Sequence, residues 1–331
     1  MYKRQTLEDF VDADIADANT YENCAYQYVR MSYDPEKIAE VGAGQQVQYA
    51  WVGSAGALKN AVAYTMDGQP SEIHVNAVID LDEALNIDKA CTIIGEEGNQ
   101  IDGSFIVNAD NVTLDKLNIT NEYVDGNDSA TKNALNIYAD NVTVTNCTFE
   151  AAETAENYEP NGIVIFPKTD KAEFKITDNT FIGYNKVTTD GMYCSAAIFI
   201  AEEYPMDKKP FFNVNISSAD LPENFNDAAI AEVNTYENCA YQYLRQDGFD
   251  WAKPAVGQTV QYALVATQEA YDNANAYKGE NAVIRTADDF TPEVTEPGDE
   301  EQQPGEEEQT EEQQAVEEPA AEVTPAEDVE A

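Results

Sequence analysis

The chain has 331 residues, of which 63 are acidic and 18 are basic, so its formal net charge at pH 7 is −45. This balance argues against nucleic acid and anionic membranes as partners, because too few basic side chains are present to neutralise phosphates. The single histidine, His74, rules out a multi-histidine zinc site and leaves Ser-His-Asp or Cys-His catalysis only through His74 itself. No apolar run approaches the ~20 residues that a membrane span needs.

The first five residues, 1–5, look like a translated sequencing-library adapter, the alternative being a genuine N-terminus with a basic start. On the adapter interpretation the sequence begins inside a longer gene. The missing signal peptide then carries no information about secretion.

The segment 6–52 has a near copy downstream. Residues 19–30 match 234–245 at eleven of twelve positions, and 44–50 match 257–263 at six of seven. We interpret 6–52 as the C-terminal end of a preceding unit and 53–265 as one complete unit of a tandem array, monomeric per unit. Residues 266–290 are then a partial copy of the next unit's opening segment. The shared string Tyr-Glu-Asn-Cys-Ala-Tyr-Gln-Tyr is either a binding motif or, as we favour, an edge strand that caps the stack.

Residues 54–68 predict a short helix. Ser54 is a suitable N-cap, Leu58, Ala61 and Val62 share one face, and Gly68 is the expected C-terminal stop. We expect this helix to cap the N-terminal end of the unit, whose strand edges and apolar side chains would otherwise be exposed.

Between 91 and 200 one short pattern recurs, in which apolar residues alternate with Thr, Asn or Lys. Its copies at 109–114 and 139–144 are thirty residues apart, and the copy at 174–181 follows at thirty-two when Phe174 is aligned with Val142. This alternation is typical of a strand with one buried face, and repeats of this length indicate a solenoid. Aligning the repeats predicts columns of stacked side chains: Cys91, Val112, Val142 and Phe174; Ile93, Leu114, Val144 and Ile176; Leu117, Cys147 and Asn179; Ile119, Phe149 and Phe181. A further strand family contains Phe105/Val107, Leu135/Ile137, Ile163/Ile165 and Ile198/Ile200.

The strings N-V-T-[LV] and [IV]-x-[DN]-[CN]-T-F, together with the lead-in from 58 to 95, resemble the right-handed parallel β-helix of the pectate-lyase-like superfamily, in repeat proteins of the bacterial surface type. The resemblance covers about 58–216. It implies an all-β fold, a right-handed parallel β-helix solenoid with a short N-terminal capping helix. It says little about function.

The resemblance also implies two chemistries, a lyase with a basic residue and Ca²⁺, or a hydrolase with paired carboxylates. Residues 53–226 contain no arginine, which weakens the lyase interpretation. Lys116 aligns with Asn146 and Asp178 as either a catalytic column or, as we favour, a polar turn column. Asp110 and Asp140 are stacked carboxylates that could share a proton or a cation, or simply turn the chain.

The only metal candidate is a Ca²⁺ loop formed by Asp125, Asn127 and Asp128, which offer oxygen ligands at close spacing but lack the full EF-hand pattern. The alternative is a solvated loop. The five cysteines are far apart, so we predict buried small hydrophobes rather than disulfides.

Residues 291–331 contain sixteen acidic side chains and no basic or aromatic ones, which predicts a disordered acidic tail. We therefore expect a non-catalytic, extracellular or cell-surface β-helix array from a bacterium, acting as a stalk, an adhesin or a glycan-contacting module. The alternatives are a polysaccharide lyase or hydrolase, and a virion spike or decoration protein.

Overall fold

The computed structural model describes residues 11–33, 45–66, 71–121, 132–152, 160–187, 195–202, 219–247 and 259–293. The chain divides into two units, 1–292 and 293–331. Every helix and strand of the described residues belongs to the first unit. Nearly all of the predicted acidic tail falls outside the described residues, so its disorder stays a prediction.

Four short helices occur in the described part of the chain: α1 Asp12–Ala16, α2 Ala55–Ala63, α3 Ala228–Ala231 and α4 Gln268–Ala276. The rest of its regular structure is β-strand, arranged in three sheets. Sheet 1 contains seven strands: β1 Tyr26–Tyr33, β2 Gln45–Val52, β3 Ser71–Val75, β6 Cys91–Gly95, β9 Thr113–Asp115, β12 Val142–Thr145 and β15 Phe174–Thr177. Sheet 2 contains six strands: β4 Val78–Asp80, β7 Gln100–Asp102, β10 Asn118–Asn121, β13 Thr148–Ala151, β16 Thr180–Ile182 and β18 Thr235–Glu237. Sheet 3 contains eight strands: β5 Leu85–Ile87, β8 Phe105–Val107, β11 Leu135–Ile137, β14 Ile163–Ile165, β17 Ala196–Ala201, β19 Tyr241–Asp247, β20 Thr259–Val265 and β21 Lys278–Thr286.

The chain visits the three sheets in a fixed order. Strands β3, β4 and β5 lie in sheets 1, 2 and 3, and the same order returns in β6–β8, β9–β11, β12–β14 and β15–β17. We call each set of three a tier and number the tiers 1 to 5. Neighbouring strands are parallel, except for the antiparallel pairs β1–β2 and β19–β20. The fold is therefore mostly β, with few helices and predominantly parallel sheets.

The stacking of tiers follows the predicted columns residue by residue. Val144 lies opposite Leu114 in tier 3 and Ile176 in tier 5. Phe149 lies between Ile119 and Phe181, and its ring stacks on that of Phe181 with centroids 5.2 Å apart. The column of sheet 3 is confirmed in the same way by the pairs Leu135–Phe105, Leu135–Ile163 and Ile163–Ile198.

Inward-facing side chains from all three sheets form one hydrophobic core, which includes Ile93 from sheet 1, Ile101 from sheet 2 and Phe105 from sheet 3. The three side chains are fully buried. Strand β12 shows why the sequence folds this way, since Val142 and Val144 are buried while Thr143 between them faces outward and is half-buried. Alternation in the sequence thus becomes one apolar and one polar face.

The predicted helix at residue 54 is α2. The Ser54 side chain caps it by accepting a hydrogen bond from the N–H of Ala57 at 3.3 Å, and Leu58 and Val62 pack into the core. The predicted stop was wrong, because α2 ends at Ala63 with Tyr64 as its C-cap. The chain leaves the helix early because the Tyr64 carbonyl accepts a hydrogen bond from the N–H of Val47, at 2.7 Å, and Thr65 bridges to the same strand residue. Gly68 lies outside the described residues.

Two further sequence-based predictions need correction. The repeated string Tyr-Glu-Asn-Cys-Ala-Tyr-Gln-Tyr was interpreted as an edge strand, and its two copies run into β1 and β19. Strand β1 is at the edge of sheet 1, as expected, but β19 lies inside sheet 3, between β17 and β20. Burial was predicted for the cysteines and is found for Cys91, Cys147 and Cys239, yet Cys24 is exposed, and Cys194 lies outside the described residues. In both cases the environment depends on which strand lies alongside, and the local sequence does not encode that neighbour.

Candidate functional site

The Ca²⁺ candidate Asp125, Asn127 and Asp128 falls between the described segments that end at 121 and begin at 132, so it stays a prediction. Elsewhere in the described residues no group of three or more His, Cys, Asp or Glu side chains is placed to hold a metal ion.

The stacked carboxylates Asp110 and Asp140 accept hydrogen bonds from the main chain of the tier above. The N–H of Asp140 donates to Asp110 Oδ1 at 2.9 Å, and the N–H of Lys168 donates to Asp140 Oδ1 at 3.1 Å. Asp140 Oδ2 also accepts the Thr169 hydroxyl at 2.7 Å. Because both oxygens of Asp140 already have donors, this geometry favours a turn-forming role over a shared proton or cation.

The column Lys116, Asn146 and Asp178 occupies a tight turn in successive tiers. All three residues have left-handed backbone conformations, with φ of 56°, 53° and 61°, and all three are exposed. Asn and Asp tolerate this conformation, whereas lysine adopts it less readily. The Lys116 carbonyl approaches so closely that a Cβ on Gly95 would lie 2.0 Å from it. The column thus has the geometry of a polar turn.

The sequence analysis missed a buried ionic cluster around Arg245. Its Nε donates to Asp227 Oδ1 at 2.7 Å and its Nη1 to Glu202 Oε2 at 3.1 Å. The Tyr243 hydroxyl donates to the same Asp227 oxygen at 2.8 Å, and the N–H of Leu221 donates to Glu202 Oε1 at 3.0 Å. We call Glu202, Asp227, Tyr243 and Arg245 the second-copy cluster.

Three of its four members recur near the N-terminus, 215 residues earlier, as Asp12, Tyr28 and Arg30. Arg30 Nε donates to Asp12 Oδ1 at 2.8 Å, and the Tyr28 hydroxyl donates to the same oxygen at 2.9 Å. Arg30 Nη1 donates to the Gln48 side chain, where Arg245 has Glu202. Extending the repeat alignment upstream at an unchanged offset would have paired Asp12 with Asp227, as it pairs Tyr28 with Tyr243 and Arg30 with Arg245, but it gives no signal for Glu202.

Burial dominates the electrostatics of the second-copy cluster. It raises the pKa of the Glu202 carboxyl above its ordinary value, although the charge of Arg245 opposes that shift. It also raises the pKa of the Tyr243 hydroxyl, with Asp227 adding to the effect. Since Arg245 is engaged by two carboxylates, its guanidinium is not available to a substrate carboxylate. The cluster therefore fixes α3 and β17 to β19.

His74 lies on the outward face of sheet 1 between two glutamates. Its Nδ1 is 2.5 Å from Glu96 Oε1 and its Nε2 is 2.7 Å from Glu72 Oε1. The ring stacks on Trp51 at a centroid distance of 5.4 Å and contacts Tyr49 at 5.0 Å. Both ring nitrogens face carboxylates, so His74 is not placed as the base of a serine or cysteine nucleophile.

A cleft of about 390 Å³ opens between α2 and β5. Its lining includes Lys59, Glu83, Asp88 and Lys89. Lys59 Nζ is 3.1 Å from Glu83 Oε1, and Lys89 Nζ donates to the Thr65 carbonyl at 3.3 Å. Asp88 accepts a hydrogen bond from the Asn108 side chain at 2.8 Å. Each of these four side chains thus already has a protein partner.

Within the described ranges, no helix combines the length and the apolar character that crossing a membrane would require. Comparison with known protein families, curated proteins and solved structures found no match.

Proposed function

We propose that this chain is a non-catalytic, extracellular module of a bacterial surface array, in which the three sheets close into a right-handed parallel β-helix of the pectate-lyase-like kind. In this role it serves as a stalk, an adhesin or a glycan-contacting surface. The cyclic order of strands through sheets 1, 2 and 3 supports the solenoid, because each tier buries its apolar face only against its neighbours.

The observation that carries the non-catalytic role is that the candidate catalytic carboxylates and the arginines of the described residues are engaged by other groups of the protein. Asp110 and Asp140 accept main-chain hydrogen bonds from the next tier. The arginines of the described residues are paired too: Arg30 with Asp12, Arg245 with Asp227 and Glu202, and Arg285 with Glu232. A lyase base has to reach the proton next to a uronate carboxylate, and a hydrolase needs two carboxylates free to face a glycosidic bond.

The surface charge supports the same proposal. A net charge of −45 repels an acidic polysaccharide unless cations intervene, so the polymers that the superfamily's enzymes attack are disfavoured as substrates. Contact with a neutral glycan or with a protein on another cell remains compatible with such a surface.

The test is a panel of pectin, alginate and neutral host glycans incubated with the whole chain, with and without Ca²⁺. New reducing ends and unsaturated products are measured, with a known pectate lyase as positive control. We expect no depolymerisation, and polymer cleavage above the heat-denatured control would overturn the proposal.

Oligomeric state separates a surface array module from a virion spike. Sedimentation equilibrium should give the 36.5 kDa mass of one chain. A stable trimer would overturn the array module in favour of the spike.

A further inference from the structure

The two copies of the repeated segment have nearly the same sequence but different burial. Cys24 is exposed, whereas Cys239 is 4% exposed. Ile15 is 39% exposed and its counterpart Ile230 only 2%. Val29 is 38% exposed and its counterpart Leu244 only 1%. Exposed apolar side chains whose copies are buried indicate a surface that is covered in the second copy and open in the first.

Tier 5 covers the second copy. Strand β17 runs parallel to β19 with Ile198 opposite Tyr243 and Ile200 opposite Arg245, and β16 runs parallel to β18 in the same way. Glu202, which directly follows β17, forms an ion pair with Arg245, with Nη1 and Oε2 3.1 Å apart.

Asn234 joins the second copy to tier 5 through hydrogen bonds of its side chain. Its Oδ1 accepts the N–H of Asn179 at 2.9 Å, and its Nδ2 donates to the Ile176 carbonyl at 2.9 Å. The same pattern joins tiers 4 and 5, where Asn179 Oδ1 accepts the N–H of Cys147 and Asn179 Nδ2 donates to the Val144 carbonyl. An asparagine at this position is therefore the link from one tier to the tier before it.

The first copy has the same groups without such a tier among the described residues. Strand β1 ends sheet 1 and pairs with β2 alone. Asn19, the counterpart of Asn234, is exposed and donates to the Ile15 carbonyl at 2.6 Å, as Asn234 does to Ile230 at 2.7 Å. The side chain of Arg30 is 33% exposed, against 20% for Arg245.

We propose that the exposed side of residues 11–33, which we call the open face, is the docking site for the last tier of another repeat unit of this same kind. In the docked state a strand like β17 pairs in parallel with β1, a residue like Asn179 donates its N–H to Asn19, and a carboxylate like Glu202 binds Arg30. The proposal rests on the proposed function, since it specifies how units of the array join.

The occupant is a unit joined upstream in one chain rather than a second folded copy of the chain. In this chain tier 5 is already covered by β18 and β19, so a folded copy does not present it. The second copy also indicates which side chain the occupant would supply, because Arg30 is the counterpart of Arg245 and Arg245 binds Glu202 at the end of β17.

The experiment extends the full chain. A second copy of residues 53–220 replaces residues 1–5, so that Thr6 follows position 220 as Leu221 does in the present chain. The readout is the rate of alkylation at Cys24 under native conditions, mapped by mass spectrometry. Val29 distinguishes the Cys24 peptide from the Cys239 peptide, which carries Leu244.

We expect Cys24 to react at least about tenfold more slowly in the extended chain, because a buried thiol reacts only during local opening. Cys239 in the same sample is the protected reference. In the extended chain Asn19→Ala should restore part of the reactivity, whereas Thr20→Ala should not, because Thr20 and its copy Thr235 both face solvent. In the present chain Asn19→Ala should leave the Cys24 rate unchanged.

A Cys24 rate equal to that of the present chain, with Cys147 protected in both copies of the unit, would overturn the inference and leave the proposed function standing. Protection of Cys24 together with polysaccharide cleavage would instead overturn the proposed function and leave the interface standing. The two failures are therefore distinguishable.

Discussion

Replacing Val144 with aspartate tests the stacking of the tiers most directly. Val144 is fully buried, and it lies opposite Leu114 on one side and Ile176 on the other. Losing the buried valine costs about 1.5–3 kcal/mol. A carboxylate without a partner at the same position adds several kcal/mol, or must bind a proton to avoid that cost. Against a typical total of about 5–15 kcal/mol, we expect Val144→Asp to unfold the chain or leave it barely stable.

The matched control is Thr143→Asp, one residue away on the outward face. Thr143 is half-buried and lies opposite Thr113 and the exposed Lys175. The new carboxylate would remain in water beside a lysine, so the cost should stay within about 1 kcal/mol, which covers the poor strand propensity of aspartate. Urea and thermal unfolding followed by circular dichroism measure both variants. Equal midpoints for the two would refute the assignment of inward and outward faces.

Two further predictions concern calcium and alkaline pH. If the loop with Asp125 and Asp128 binds Ca²⁺, millimolar Ca²⁺ should raise the thermal unfolding midpoint more than Na⁺ does at matched ionic strength. Alanine at both positions should abolish that difference, and equal effects of the two salts would eliminate the site. Burial raises the pKa of the Cys147 thiol from 9.0 to about 12, so its contribution to stability is complete below about pH 9 and is lost as the pH rises toward about 12. Thermal midpoints measured across that range should fall, less steeply for Cys147→Ala, and an identical fall in that variant would contradict the assignment.

The tiers were predictable because their signal is local and repeated. In each tier apolar residues alternate with Thr or Asn, and an Asn, Lys or Asp takes the left-handed turn position, as at Asn141 and Asn146. Since a one-residue shift would reverse inside and outside, the aligned repeats determine which residues face each other. The pairs Val144–Leu114 and Phe149–Phe181 follow directly.

The exposure of Cys24 was not predictable from its own sequence. The twelve residues around it are almost identical to those around Cys239, so any rule based on local sequence assigns both the same burial. Tier 5 supplies the difference, because it lies against the second copy and not, among the described residues, against the first. The end of α2 was missed for a similar reason, since a contact with Val47 decides it before Gly68 is reached.

The ionic clusters were missed because their members are distant in sequence and individually ordinary. Asp227 and Arg245 are separated by eighteen residues and Glu202 by a further twenty-five, and charged residues are usually exposed. Only the folded chain brings them together beneath Tyr243. The one available signal was the constant offset of 215 residues between the two copies. It aligns Asp12, Tyr28 and Arg30 with Asp227, Tyr243 and Arg245.

The two copies also define how neighbouring units of the proposed array would be oriented. Strands β1, β2 and β3 begin sheet 1, whereas their counterparts β19, β20 and β21 end sheet 3, with the same antiparallel and parallel pairings. A unit docked on the open face would therefore continue its own sheet 3 directly into sheet 1 of the next unit, through main-chain hydrogen bonds. Paired strands at such a junction would restrict bending between the units more than a polar connecting segment alone does. In the proposed array, the same change from sheet 3 to sheet 1 would recur at every junction, so each unit would be turned relative to its neighbour by the same amount.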